Sequence, residues 1–485
     1  MKLVGSIFHV ISWLVVFGCL SASLRADLDY RGALTKSIIF LEAQRSGKLP
    51  ATNRVPWRGD SALDDGKLDN VDLAGGYYDA GDNVKFGLPM AFTVTTLAWA
   101  GIHYRVELQA AGEMANVRAA IRWGTDYLLK ASAQKNKLYV QVGDPNKDHA
   151  CWANPENMET PRTVLKVDPS NPGTEIAAET AAALAASSIV FKDLDRAYAG
   201  VLTTRAKALY DFAKTYKGSF NGECPFYCSH SGPNDELLWG AAWLYYATKM
   251  PVYLDYVKGE AKSAQVSEFS WDLKYAGAQI LLSQFYMEGD KDLKKYKEEA
   301  DGFVCSNIPE SPNHQVFITP GGMINLRDGA NSQYVTGAAF LFSVYSDLLA
   351  KSKDKVYCGG TQIEPDKLAA FAKKQMDYLL GRNPENRSYM VGFGKNPPTQ
   401  AHHRGASIPK LPKGEKVVCW SSFGKYLHPD KPNPNELTGA ILGGPNKNDK
   451  FEDKRDKSSF TEPCTYINSL AVGALAKLAK PHAKV

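Results

Sequence analysis

The stretch Thr174-Glu175-Ile176-Ala177-Ala178-Glu179-Thr180-Ala181-Ala182-Ala183-Leu184-Ala185-Ala186-Ser187-Ser188-Ile189-Val190-Phe191 decides the fold class. Its apolar residues recur at three-to-four spacing and Thr174 stands before Glu175 as a cap, so it reads as a helix. Patterns of the same kind occupy about 30–46, 91–109, 114–133, 195–216, 235–249, 271–286, 291–301, 332–351, 366–380 and 465–480. Asp366 before Lys367 offers another cap. Eleven or twelve such segments make close to six antiparallel pairs. No Pro/Ser/Gly linker and no low-complexity tract divides them, so one all-α domain is expected. The Gly/Pro-dense stretch 381–449 reads as site-building loops.

Composition agrees with a large globular core: 485 residues, 44% hydrophobic and 22% charged. Aromatics at 11% suit sugar stacking and an ordinary core alike. The net charge of +5 is spread over interspersed lysines and acids, without a long basic block, so a nucleic-acid partner is not expected.

The N-terminus reads as an address. Lys2 precedes an apolar run from about Ile7 to Leu20, and Ser21-Ala22-Ser23 follows. The run is short for a membrane span of about 20 residues. A cleaved secretory signal over 1–23 is therefore expected, with a signal anchor as the alternative. Cleavage after Ser23 or Ala26 would start the mature chain near Asp27 and leave a domain over 27–485. No other stretch reads as a membrane span, so a secreted, extracellular protein is expected. Cys19 would leave with the signal, and Cys151, Cys224, Cys228, Cys305, Cys358, Cys419 and Cys464 would remain, an odd set. Cys224 and Cys228 flank a tight Pro-Phe-Tyr turn and suggest a local disulfide; free thiols, or a zinc half-site with His230, are the alternatives. One glycosylation sequon, Asn386-Arg387-Ser388, lies in a Gly/Pro-rich loop. No oxygen-rich metal loop is evident, and no metal or cofactor is expected.

The chemistry concentrates in two distant segments. In front stands Gly75-Gly76-Tyr77-Tyr78-Asp79-Ala80-Gly81-Asp82-Asn83. Its glycines permit a sharp turn, and the three-residue spacing lets Asp79 and Asp82 face one cavity and share a water. An Asp-rich capping turn is the plainer reading of that spacing. At the back stand Phe451-Glu452-Asp453 and Thr461-Glu462-Pro463-Cys464-Thr465-Tyr466. Glu462, near a helix start between aromatics, could donate a proton to a leaving oxygen, or simply favour the helix dipole. Between these segments lie Ser388-Tyr389-Met390-Val391-Gly392-Phe393-Gly394 and His402-His403-Arg404. The latter could donate hydrogen bonds to sugar hydroxyls or orient an acid. Two carboxyl groups brought together across the chain meet the requirement for hydrolysing a glycosidic bond.

These segments resemble glycoside hydrolase family 9, the inverting endo-β-1,4-glucanases, and in particular the secreted plant type. The resemblance runs from about Leu28 to Lys480 and rests on GGYYDAGDNVKFGLPMAFT at 75–93, PENMETPRTVLKVD at 155–168 and AAETAAALAASS at 177–188. CPFYCSHSG at 224–232, DELLWGAAWL at 235–244, TPGG at 319–322 and SYMVGFG at 388–394 extend it. HHRG at 402–405 and EPCTYINS at 462–469 complete it. It implies an (α/α)6 barrel of about twelve helices with an open cleft, and a monomer acting on β-glucan of the cell wall. It also implies Asp82 as general base with Asp79 holding the water, Glu462 as general acid, and His402, Arg404 and Asp453 lining the site. Tyr78, Trp152, Trp239 and Tyr466 are the candidate sugar-stacking rings, Trp239 being equally compatible with core. An inverting pair would hold its carboxyls about 6.5–9.5 Å apart.

The sequence departs from the family pattern at Ser458, where an aromatic is usual, and at Cys464, where Ala is usual and where the odd thiol would fall. Ala401, Asn154, Arg382 and Asn446 also differ from the usual residues. None removes a catalytic carboxylate, but all bear on affinity and preference. The alternatives are a weakened glucan-binding wall protein and a hydrolase of another β-1,4-linked polysaccharide.

Overall fold

Twelve helices alternate strictly between an outer and an inner position around one barrel. In this computed structural model, which describes residues 28–479 except 223 and 413, the outer set is α1 (Tyr30–Ala43), α3 (Met114–Ala131), α5 (Arg196–Thr215), α7 (Pro251–Gly259), α9 (Lys294–Asn307) and α11 (Pro365–Leu379). The inner set is α2 (Gly87–His103), α4 (Thr174–Phe191), α6 (Asn234–Thr248), α8 (Tyr275–Met287), α10 (Ser332–Ser352) and α12 (Thr465–Leu478). Each inner helix packs on its inner neighbours, and α12 closes the ring by lying against both α10 and α2. The expected (α/α)6 barrel is the fold observed. The predicted signal segment and its Cys19 lie outside the described residues.

The sequence reason for the two layers is visible helix by helix. Outer helices such as α3 bury one stripe, including Val117, Ile121, Thr125 and Leu128, and expose the other. Inner helices are buried on nearly every face. In α4 every residue except Ile189 is buried, and its run of alanines lets α2, α5 and α6 approach closely. By length and hydropathy α4 could cross a membrane, contrary to the expectation that no later stretch could, but 94% of it is buried inside the protein. Its apolarity belongs to the core.

Aromatic rings pack among the inner helices. Trp99, Trp239, Trp243 and Phe340 pack with centroids 5.2–5.6 Å apart, mostly edge to face. Truncating one of them would cost about 3–5 kcal/mol. Trp239, 0% exposed, is therefore core rather than a sugar platform.

Several local expectations are corrected. α7, a nine-residue helix opening on Pro251, was not anticipated. Thr174 and Asp366 stand one and two residues inside their helices; the caps are Gly173 and Glu364. The Thr174 hydroxyl instead accepts from Gly218 N. An antiparallel three-stranded sheet, β1 (Lys85–Phe86), β2 (Leu138–Val142) and β3 (Val164–Val167), backs the first loop. Disulfides join Cys151–Cys419, Cys224–Cys228 and Cys305–Cys358, leaving Cys464 free and buried. The zinc alternative at Cys224, Cys228 and His230 falls with the second of these.

Strict alternation makes the inner helices parallel, so the loops preceding their N-termini meet at one end. Thr465 N, at the start of α12, donates to Asp79 O ahead of α2, at 3.0 Å. Phe220 N, ahead of α6, donates to Glu175 in the first turn of α4, at 2.6 Å. Ser332 N of α10 donates to Gly443 O in the loop before α12, at 3.0 Å.

Candidate active site

Residues 75–83 cross this end of the barrel, and the back loops clamp them. Gly81 N donates to Glu462 Oε1 at 3.0 Å, Arg404 N donates to Gly81 O at 3.0 Å, and Thr465 N holds Asp79 O. A Cβ at Gly81 would lie 2.1 Å from His402 O, so only glycine allows this approach. Gly76 is needed differently: its φ of 74° is left-handed, and a side chain would meet the Tyr127 ring. The two carboxylate segments, far apart in sequence, thus share direct contacts.

Asp79, Asp82 and Glu462 occupy distinct settings. Asp82 is 8% exposed; its Oδ2 lies 2.9 Å from His149 Nε2, and its Oδ1 accepts from Val84 N at 3.3 Å. Asp79 is buried, with Oδ2 accepting a short hydrogen bond from the Tyr227 hydroxyl. Its Oδ1 has no hydrogen-bond partner among the described residues. Burial raises the Asp79 carboxyl well above the usual range, the Tyr227 bond opposes this, and the charges of Asp82 and Glu462 add to the rise. Glu462 is half-buried and caps the C-terminus of the short helix Ser458–Thr461.

His149 and Tyr227 were not anticipated. Burial alone would lower the His149 imidazole, but the hydrogen bond and charge of Asp82 outweigh it and raise the group. His149 belongs to a five-residue helix, Pro145–His149, that looks in sequence like an exposed polar turn. Its place six residues before the matched stretch that begins at Pro155 was the available signal. Tyr227 sits inside the Cys224–Cys228 turn already marked as a local loop.

The two adjacent histidines separate in role. His402 Nδ1 lies 2.7 Å from the Arg455 carbonyl, which can only accept, so Nδ1 carries the proton. Burial lowers the His402 imidazole, partly opposed by Glu462, which favours the neutral ring. His403 Nδ1 accepts from Ala406 N at 3.0 Å, so Nε2 donates to Gln44 Oε1 at 2.8 Å. Burial then pushes His403 down to about 3. Gln44 Nε2 in turn donates to Ala80 O at 2.6 Å, so His403 holds the front loop from behind.

The expected substrate contacts require correction. Tyr78 is 2% exposed, its hydroxyl donating to Ser61 Oγ at 2.9 Å. Tyr466, also buried, has its hydroxyl 3.3 Å from that of Tyr227. Trp152 is 2% exposed, edge-on to His402 at 4.8 Å and with Nε1 donating to Ser407 Oγ. None of these rings offers a free face to a pyranose; they form the wall behind the carboxylates. Arg404 is committed to Asp148 Oδ2 at 3.2 Å and lies over the Trp152 ring, so it positions rather than reaches outward. Asp453 accepts from Thr399 N at 2.8 Å and Gln400 N at 3.0 Å, which fastens the loop leading to His402.

The departures from the family pattern are accommodated. Asn154 is buried, donating to Glu156 Oε2 at 3.1 Å and Asn157 Oδ1 at 2.8 Å. Arg382 pairs with Asp377 at 2.8 Å, Asn446 caps its own turn, and Ser458 opens the short helix that presents Glu462. Asp82, Asp148 and His149 bring ligand-type atoms within 4.8 Å of one another. Arg404 already pairs with Asp148 and His149 with Asp82, so the trio lies in a charge-paired network.

A pair of carboxyls on two loops, one beside a titratable imidazole and one held by a backbone N–H, can take a proton from water on one side and give one on the other. Comparison with known proteins places the chain in a family. The family model for glycosyl hydrolase family 9 matches residues 30–475. The chain is 67% identical to Endoglucanase 16 of Arabidopsis thaliana, over 93% of each chain. It is 63% identical to Endoglucanase 8 of Oryza sativa subsp. japonica, over 93% of this chain and 90% of that one. Among solved structures, an endoglucanase from the termite Nasutitermes takasagoensis superposes with a TM-score of 0.81 at 38% identity, covering 93% of this chain and 98% of that one. Endoglucanase CelQ of Clostridium thermocellum complexed with cellotriose superposes at 0.79 with 33% identity, covering 94% of this chain and 72% of that one. A closed ring of six helix pairs, a carboxylate-bearing loop at the mouth of that ring, and matches of this extent leave one conclusion: the chain belongs to glycosyl hydrolase family 9.

Proposed function

We propose that this protein is a secreted, inverting endo-β-1,4-glucanase that cuts internal bonds of cellulose-like or mixed-linkage β-glucan. Endoglucanase activity follows from the family and from relatives of that name at 63–67% identity. The single observation that carries the mechanism is the bond from Gly81 N to Glu462 Oε1, which joins the loop of one carboxylate pair to the third carboxyl. Glu462, half-buried at the mouth, protonates the glycosidic oxygen. Asp82 takes a proton from a water on the opposite face of the ring, with the free Oδ1 of Asp79 holding that water. His149 fixes the orientation of Asp82, and His402, neutral and locked on Arg455 O, shapes the wall beside the acid. Export to the cell wall is supported by the N-terminal apolar run, by the plant relatives and by three disulfides.

The test is reducing-end release and product anomer, followed by NMR, on carboxymethylcellulose and barley β-glucan. α-Anomeric products, lost in Glu462→Gln, are expected. β-Anomeric products would overturn inversion, and glucan binding without hydrolysis by the folded protein would overturn the enzyme reading.

A further inference from the structure

Trp420 is 89% exposed, whereas every other described tryptophan is buried or half-buried. It lies on a segment built against the active-site wall. Val417, Tyr426 and Leu427 form a small apolar cluster with Cys151, Trp152, Ala153 and Ile408, separate from the main core. The disulfide Cys151–Cys419 ties the residue before Trp420 to the residue before Trp152. Trp152 N donates to Ser422 Oγ at 3.0 Å, and the Trp152 ring is the one edge-on to His402. Further out, Asn157 Nδ2 donates to Glu415 O at 2.6 Å and Lys416 pairs with Glu159 at 2.6 Å. One face of this segment is thus packed and covalently anchored, while Trp420, with Val418 beside it at 52%, turns to solvent.

We propose that Trp420 is a sugar-stacking platform for the part of a β-glucan chain that runs beyond the cleft. The inference rests on the glucanase reading above. An indole face suits the C–H face of a pyranose and needs no charge on its ligand. The neighbouring Lys416 is neutralised by Glu159, which fits an uncharged polymer. Anchoring on the disulfide and the small cluster fixes the platform before substrate arrives, so little ordering is lost on binding. The position is continuous with the site through Cys151, Trp152 and His402. It lies outside the carboxylate cluster, so it acts on long chains and on uniform binding rather than on the chemical step.

The experiment compares the full-length parent with Trp420→Ala and Trp420→Phe on carboxymethylcellulose and on cellotetraose. For Trp420→Ala, KM on the polymer should rise about twofold to tenfold, the scale of one aromatic contact. Its kcat, its constants on cellotetraose and its melting temperature should stay at parental values, and Trp420→Phe should recover most of the loss. Affinity electrophoresis through barley β-glucan in the Glu462→Gln background reads the same contact without turnover, and Trp420→Ala should migrate faster there. An unchanged polymer KM with unchanged mobility, or an equal rise on cellotetraose, overturns the platform while leaving the glucanase intact. A parent inert on every β-1,4-glucan and unretarded in the gel overturns the glucanase reading itself, and the platform with it.

Discussion

Glu179, Asp235 and Glu236 inside the barrel, and Asp79, Asp82 and Glu462 at its mouth, are both carboxylate clusters, yet only the first surrounds a lysine. Lys274 Nζ lies 3.0 Å from Glu236 Oε1 and 3.6 Å from Glu179 Oε2, and its backbone N donates to Asp235 Oδ2 at 2.7 Å. Burial works against the ammonium, but the charges of Glu236, Glu179 and Asp235 outweigh it and hold the proton firmly. At the mouth the partners are a histidine for Asp82, a tyrosine hydroxyl for Asp79 and a backbone N–H for Glu462. Burial raises the Glu179, Asp235 and Glu236 carboxyls, and the charge of Lys274 opposes that rise from inside the core. At the mouth no lysine or arginine among the described residues pairs with Asp79, Asp82 or Glu462; their partners are titratable or neutral groups, the setting that proton transfer needs.

The sharpest way to break this contrast is Lys274→Met. Removing the cation from a fully buried pair leaves unpaired charge and should cost about 3–5 kcal/mol of stability. Thermal unfolding measures it, and kcat of the protein that remains folded should be unchanged. An unaltered melting temperature would mean that the inner cluster does not depend on its lysine. At the mouth the expected pattern reverses. Asp82→Asn and Glu462→Gln should each lower kcat by at least about two orders of magnitude with melting temperatures near the parent's. Activity within a few-fold of parental in either variant would remove that residue from the reaction. A crystal structure should place those two carboxyls about 6.5–9.5 Å apart, and about 5 Å would indicate the retaining geometry instead.

Asp79→Asn should be milder, because the burial that favours a protonated Asp79 is mimicked by a neutral amide. Losing part of one hydrogen bond to the water would lower kcat about tenfold. A loss as large as that of Asp82→Asn would make Asp79 a second base. The smallest effect concerns pH. The His149 imidazole is raised, so its pairing with Asp82 is present at low pH and fades as pH rises through that raised value. His149→Ala removes a cation beside the base, and the acid limb of the kcat/KM profile should move to higher pH. The pair is partly solvated, so a shift under about one unit is expected. A shift to lower pH would contradict the pairing.

What was legible in the sequence follows physical lines. Long helices announce themselves through apolar periodicity, and eleven of the twelve were readable. α7 was not, because its nine residues bury only Tyr253, Tyr256 and Val257. The sheet behind the front loop escaped because β1 is two residues long and borrows its stability from β2. Asp79, Asp82 and Glu462 were legible as motif residues, whereas His149 and Tyr227 become partners only through tertiary convergence. Residue type also misled: Tyr78, Trp152, Trp239 and Tyr466 suggested platforms and are buried, while Trp420 gave no signal and is the exposed tryptophan among the described residues. Sequence shows which rings exist, not which faces the packing leaves uncovered.

The closure of the ring by α12 has a consequence for biosynthesis. The contact between Gly81 and Glu462 spans 381 residues, and α12 must dock between α10 and α2 to bring Glu462 to that place. Segments nearer the N-terminus emerge and organise first, and such distant pairings come late. With the roles proposed above, a nascent chain carries its base, Asp82, long before its acid, Glu462. On that assignment, hydrolytic power arises only when residues 465–478 have left the ribosome and filled the last gap, and a half-made chain lacks the means to cut glucan.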